Sequence, residues 1–271
     1  MKARAQVASL TKPHPFWRTP SGWLQTAGSF LAAVIIWELT ARYVVKSPIF
    51  FVPLGQIVLK AVALWKSGDL QNDMLVSGIE FASGFGLATL TGILIGVGLA
   101  ASSTARRFFE PWISMLYATP IIALGPLFIL ALGIGIASKI VIIFLTAVFP
   151  IIINTVAGLT TTDRHLIEAA RSFGATPWQI QVKVRIPSAL PFIIAGLRLG
   201  VARALVGVVV AELFGARAGL GFLILTSAQN FDTAALFVGV LILAITGVVS
   251  VEFLKWLETH LAPWREEENQ G

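Results

Sequence analysis

Six stretches of this chain, at about 22–44, 77–101, 109–132, 139–160, 190–213 and 233–256, are apolar for long enough to cross a bilayer as helices. A hydrocarbon core roughly 30 Å thick needs about 20 such residues, and inside it the backbone must satisfy its own hydrogen bonds. The reading is therefore an all-α membrane protein with six transmembrane helices at residues 22–260, between polar tails at 1–21 and 261–271. No small-residue cleavage site follows the first apolar run, so that run is expected to stay as an anchor. With 56% hydrophobic and 13% charged residues, against roughly 25% charged in an average soluble domain, a soluble globule is excluded.

The net charge of +6 gains meaning once the basic residues are sorted by loop. With the N-terminus in the cytoplasm, the cytoplasmic segments hold Lys2, Arg4, Lys12, Arg18, Arg106, Arg107, Arg164, Arg171, Lys183, Arg185, Lys255 and Arg265. The outer segments hold Lys46, Lys60, Lys66 and Arg217. Such a bias orients a multi-pass chain with both termini cytoplasmic. The basic excess is thus a topology signal and does not imply nucleic acid. Cysteine is absent, and His14, His165 and His260 are too scattered for a metal cluster. The outer segment 46–76 is too polar to span, but Gln56 to Trp65 has helical periodicity and is expected to lie along the interface.

Within the spans, Gly84, Ala88, Gly92, Gly96 and Ala100 recur every fourth residue, so one helix face lacks bulk for five turns and suits close helix contact. That contact is open to a helix of this chain or of a second copy. Pro120, the Gly125-Pro126 pair and Pro150 are expected to bend the third and fourth spans, as hinges or as ordinary bundle kinks. The fifth span carries Arg198 and Arg203. Its 12 Val, Ile, Leu and Phe residues favour insertion by roughly 5 kcal/mol, and two arginines cost about as much. The arginines therefore need water, the bundle interior or an acidic partner such as Glu212, Glu38 or Glu80. They fit a polar pathway or a static charge pair. Asn154 fits interhelical glue or a pathway contact.

Residues 161–187 are too polar for lipid and punctuated as two short helices. Asp163 can cap the first and Gly174 can close it. Thr176-Pro177 can start the second, and Pro187 is expected to stop it. Taken alone the segment fits a rigid connector or a docking element. Its residues Glu168-Ala169-Ala170, Gly174, Val184 and Ile186-Pro187 resemble the EAA loop of ABC importer permeases, E-A-A-x3-G-x9-I-x-L-P. Trp37-Glu38, Ser77, Gly84-Phe85, Asn154 to Gly158, Pro191, Gly196-Leu197-Arg198, Ala211-Glu212 and Gly219-Leu220-Gly221 extend the resemblance to the nitrate, sulfonate, taurine and bicarbonate branch. Glu80 departs from it, standing where many members of that branch have a basic residue.

The resemblance implies the bundle of a type I importer permease in a bacterial cytoplasmic (inner) membrane, importing a small solute such as a sulfonate, taurine or nitrate. It implies a second permease copy, most simply a homodimer, two cytosolic ABC ATPase subunits, and a periplasmic or lipid-anchored solute-binding protein docking near Phe214 to Asp232. Glu168, Ala169, Ala170, Arg171, Gly174 and Pro187 would couple to the ATPases; Asn154, Arg198, Arg203 and Glu212 are the candidate pathway-lining residues. The chain is expected to be no enzyme and to hold no cofactor. It has no Gly-Lys pair and so no G-x4-G-K-[ST] phosphate loop, so ATP and Mg would be bound by the partner ATPase. An ion-gradient transporter with an Arg203–Glu212 relay and a non-transporting scaffold are the competing readings.

Overall fold

The structure is a computed structural model that describes residues 20–45, 47 and 49–262, so most of both expected tails lies outside the described residues. The described elements are helices: α1 (Pro20–Leu39), α2 (Leu54–Ser67), α3 (Asp69–Ala101), α4 (Ser103–Ala118), α5 (Gly125–Leu132), α6 (Ile136–Thr160), α7 (Arg164–Ser172), α8 (Pro177–Ile180), α9 (Ile186–Leu213), α10 (Leu220–Gln229) and α11 (Thr233–Leu261). Five helical stretches are long and apolar enough to cross a membrane, at Ala27–Val44, Asp69–Ala101, Ile136–Thr160, Pro177–Leu213 and Thr233–Leu261. A sixth candidate is a bent pair, apolar enough to cross only when its two helices are taken together. Ser103–Ala118 and Ile121–Leu132 meet at 76°.

That break has a local cause. Proline at 120 offers no N–H to continue α4 and pushes Thr119 into an extended conformation (φ −69°, ψ 132°). Pro126 then restarts a helix in its first turn, where a missing N–H costs nothing. Two expected boundaries move for physical reasons. Gly68, at φ 88°, closes α2 and leads straight into α3, which therefore starts at Asp69. Nor does Pro187 end its helix: a π turn over Gln181–Arg185, in which the Ile186 N–H reaches the Gln181 carbonyl, absorbs the missing donor. In consequence α8, the π turn and α9 form one helical rod from Pro177 to Leu213.

The bundle is organised around α6, with α3 on one side and α9 on the other. The small-residue stripe of α3 meets α6 of the same chain. A Cβ added at Gly84, Gly92 or Gly96 would stand 2.6, 2.9 or 2.6 Å from Ile143, Ile151 or Thr155. From the other side, Gly196, Gly200 and Gly207 of α9 press on Asn154, Ile151 and Thr146. In lipid, where burial of apolar surface gains little, such backbone approach supplies the dispersion contacts that hold helices together. Helix α2 is amphipathic, buries Ile57, and is tied to the α10–α11 turn by Lys60 and Asp232 at 2.6 Å.

Candidate functional site

At one end of the bundle, the chain leaves α6 and turns back through α7 and α8. Asp163 caps α7 by accepting from the His165 N–H at 2.8 Å. The helix ends in a complete Schellman arrangement, with Gly174 N–H on the Arg171 carbonyl at 2.9 Å and Ala175 N–H on the Ala170 carbonyl at 3.0 Å. Gly174 sits at φ 76°, a conformation that costs a side-chain-bearing residue. Two residues on, Thr176 and Gln179 form a reciprocal capping box, with Pro177 at the first helical position. The turn is therefore fixed on both flanks by its own backbone and caps.

This elbow fixes an outward-facing surface. Glu168, Ala169, Arg171 and Gly174 are exposed, while Ala170 and Pro187 are half-buried. Glu168 has a loose contact of 3.6 Å with Arg164. Ile167 and Ile180 are buried and anchor the two arms. Between them stand Phe173, 92% exposed, and Trp178, 74% exposed. Large apolar side chains on a well-ordered polar segment mark a surface made to be covered. The EAA pattern does not include either aromatic; two aromatics flanking Gly174-Ala175 in an otherwise polar loop are the signal that could have found them.

The polar residues inside the bundle separate into three groups. Towards the end opposite the elbow, four successive N–H groups at the start of α10 are all taken by side chains. Gly219 donates to Asp73 at 2.7 Å, Leu220 to the Ser77 hydroxyl at 2.8 Å, and Gly221 and Phe222 to Glu212 at 2.5 and 3.4 Å. Ser77 in turn donates to Glu212 at 2.6 Å. Carboxylates suit a helix N-terminus because they satisfy its free donors and oppose its dipole. Gly219 and Gly221 are required here, since a Cβ on either would come within 2.4 or 2.9 Å of the Glu212 carboxyl group. Beside this knot, Glu80 pairs with Lys139 at 2.6 Å, both buried. The sequence departure at Glu80 is thus matched by a lysine from α6.

The second group lies nearer the elbow, where Arg198 of α9 pairs with Glu258 of α11. Asn154 belongs with it as a packing residue. Its amide donates to the Pro150 carbonyl one turn back at 2.8 Å, and its Cβ abuts Gly196. The third is Arg203 alone, exposed, with its guanidinium carbon 5.9 Å from the centroid of the Tyr117 ring. The four candidate pathway residues therefore do not converge. The acids suggested for the arginines have other partners: Glu38 holds Arg42 at 2.6 Å, Glu80 holds Lys139, and Glu212 holds α10. Among the described residues, no group of three or more histidine, aspartate or glutamate side chains could hold a metal ion.

Residues 214–232, expected as an outer docking loop, contain the ten-residue α10 folded back against α3, α9 and α11. At about 15 Å it is half the length of a crossing. Phe231, 72% exposed and at φ 55°, turns the chain into α11. Asp232 caps that helix. Burial raises its carboxyl pKa, but hydrogen bonds from Lys60 and the Ala235 N–H, with the Lys60 charge, outweigh this and hold it below its ordinary value.

Residues 88–267 match the family model described as the binding-protein-dependent transport system inner membrane component. The chain is 37% identical to SsuC of Bacillus subtilis (strain 168), named as an aliphatic sulfonates transport permease, over 90% of this chain and 88% of that protein. It is 34% identical to the formylaminopyrimidine transport permease ThiX of Halalkalibacterium halodurans, over 88% and 95% of the two chains. It is 30% identical to the taurine transport system permease TauC of Escherichia coli K12, over 93% and 94%. The fold is that of a chain of the inward-facing MetNI methionine ABC transporter, with a TM-score of 0.60 at 22% identity over 71% of this chain and 95% of that one. On family match, relatives and fold together, this chain belongs to the binding-protein-dependent inner membrane permeases of ABC transporters.

Proposed function

We propose that this chain is the pathway-forming subunit of an ATP-driven importer of a small anion, working as a homodimer on two separate ATPase subunits. The observation that carries the reading is the elbow: a rigid turn with two bare aromatics, Phe173 and Trp178, joined without a break to a rod that runs the length of the bundle. An ATPase gripping Phe173, Trp178 and the exposed Glu168, Ala169, Arg171 and Gly174 would move that rod as a lever. Half-buried Ala170 and Pro187 set the angle between grip and rod. A sulfonate or taurine-like solute fits the named substrates of the sulfonate and taurine relatives.

In this assembly both termini and the elbow lie in the cytoplasm, as the distribution of lysine and arginine requires. A solute-binding protein delivers cargo at the opposite end, near exposed Phe214 and Phe231. ATP and Mg²⁺ are held by the partner subunits. Of the four pathway candidates, Arg203 is the one we place on the pathway; Asn154, Arg198 and Glu212 hold helices in position. Co-expression with candidate ATPases and reconstitution in proteoliposomes tests the whole reading. The expected result is a stable complex that takes up a sulfonate when ATP and binding protein are supplied. Purification of the chain without any ATPase, together with uptake that survives ATP depletion but fails when the ion gradient is collapsed, would overturn it.

A further inference from the structure

We propose that the cavity at the break in the third span is a subsite for the anionic headgroup of the cargo, with Arg203 as its charge and Tyr117 as its wall. The proposal rests on the importer reading above and adds the place where the bundle itself discriminates by charge. The cavity, of about 80 Å³, is lined among others by Tyr117, Thr119, Pro120, Thr146, Arg203 and Val206. It lies at the point where the helix is interrupted at Thr119-Pro120, against α6 and α9.

Three observations point to an anion. Arg203 stands ten residues before the end of α9 at Leu213, about 15 Å along the helix axis and so near half the thickness of a hydrocarbon core. At that depth a guanidinium needs a counter-charge or water. The other basic side chains set in the bundle have a carboxylate: Lys139 has Glu80 and Arg198 has Glu258. Among the described residues no carboxylate lies within ion-pair distance of Arg203, whose contact is the face of Tyr117. Secondly, the remaining lining of the cavity is uncharged, and the hydroxyls of Thr119 and Thr146 are engaged with the Met115 and Ile143 carbonyls at 2.9 and 2.8 Å. Among the described residues, the only formal charge on the cavity lining is positive. Thirdly, a drug-sized ligand fills roughly 300 to 1,000 Å³. A cavity of 80 Å³ admits a headgroup and leaves the rest of the solute outside.

A guanidinium presents a planar fork of donors that matches two oxygens of a sulfonate or carboxylate. The Tyr117 ring face, 5.9 Å from the guanidinium carbon, attracts the cation without neutralising it. The subsite therefore attracts the charged end of the cargo at mid-depth and repels cations.

The absence of cysteine from the sequence makes the test direct. Val206, 49% exposed and on the cavity wall, is replaced in Val206→Cys, with Ser67→Cys as an exposed reference. The permease–ATPase complex in detergent is treated with 2-sulfonatoethyl methanethiosulfonate or with its trimethylammonium analogue, so both ends of the bundle are accessible. The expected result is that the anionic reagent is favoured at position 206 by at least about tenfold relative to the reference position. Arg203→Gln or Arg203→Met abolishes that preference, and Arg203→Lys keeps most of it. Two neutral variants are used so that poor folding of one leaves the other. Millimolar methanesulfonate slows modification by the anionic reagent only when residue 203 is basic. A thiol at 206 that neither reagent reaches, or a charge preference unchanged by both neutral variants, would overturn the subsite. Loss of the importer reading looks different: the charge preference would persist in a chain that binds no ATPase.

Discussion

Gly174 allows the elbow to be tested as a piece of physics before it is tested as a piece of biology. A Cβ built at this position meets nothing within 4 Å in the chain itself, so substitution there creates no internal clash. What it creates is backbone strain, because the residue holds φ at 76°. A non-glycine residue in that region costs roughly 1–2 kcal/mol, asparagine less than alanine, and a β-branched residue more. If strain alone matters, Gly174→Ala depopulates the folded elbow about fivefold to thirtyfold, Gly174→Asn has a milder effect, and Gly174→Val exceeds both.

If the elbow is instead gripped, a second penalty appears. The partner occupies the space that is empty in the free chain, so even Gly174→Asn weakens ATPase binding by tenfold or more, which is about 1.4 kcal/mol. Two measurements on the same variants separate these contributions. The thermal midpoint of the purified chain reports strain, and titration of detergent-solubilised permease with ATPase reports grip. We expect all three variants to insert and fold, to rank Asn, Ala, Val in strain, and to lose binding by more than their strain explains. Binding losses that track the strain series with no excess would remove Gly174 from the contact. Wild-type binding and uptake in the valine variant would refute the elbow as the coupling element.

Further expectations follow from other contacts. Phe173→Ala and Trp178→Ala should each weaken ATPase association by about tenfold or more while leaving the thermal midpoint within a degree or two, as expected of exposed anchors. Ser77→Ala leaves the buried Leu220 N–H without an acceptor and should destabilise the chain by about 1–3 kcal/mol; an unchanged midpoint would show that α10 is not held by this bond. Gly96→Leu drives side-chain atoms into Thr155, 2.6 Å from the built Cβ, and should cost several kcal/mol, read as loss of folded protein in detergent. The pH dependence of the α2 tether has a definite sign. Asp232 has a folded pKa below its ordinary 3.8, so its contribution is complete above that value and disappears as pH falls through the lower folded value. Lys60→Gln should lower the midpoint at pH 7 by an amount worth a few tenths of a kcal/mol, and the difference from wild type should vanish once pH falls below that folded value.

What the sequence reveals about this chain depends on the range of the interaction that decides each feature. Apolar run length reports the crossings because lipid imposes it residue by residue. Asp163, Gly174 and Thr176-Pro177 announce the elbow because caps and turns are decided within four residues. Pro120 and Gly125-Pro126 flag the bend, though not its 76°. The partners of charges are another matter. Glu80 finds Lys139 across 59 positions, Arg198 finds Glu258 across 60, and Ser77 finds Glu212 across 135. No local pattern ranks one acid above another at such separations. Helix α10 has no such signal for a related reason: ten residues, apolar only over the first six, are too short for a span, and what starts the helix is a set of acceptors on α3 and α9.

The distribution of these contacts also bears on how a pull at the elbow would travel. The rod from Pro177 to Leu213 is gripped along its middle by α6, through Gly196, Gly200 and Gly207, where backbone touches side chain and little sliding is possible. Beyond that grip, its far end carries Glu212, which holds the first turn of α10 jointly with Ser77 and Asp73 of α3. A rotation of the rod about its grip on α6 would therefore move Glu212 against α3, and the shared bonds to α10 are the ones that must stretch or re-form. Arg203 lies within that gripped stretch, between Gly200 and Gly207, on a face that lines the cavity at the broken span. On the importer reading, the rigid contacts set the fulcrum, the polar knot is where the far end gives, and Arg203 stays at the fulcrum, so its charge keeps its place against the broken span while the far end moves.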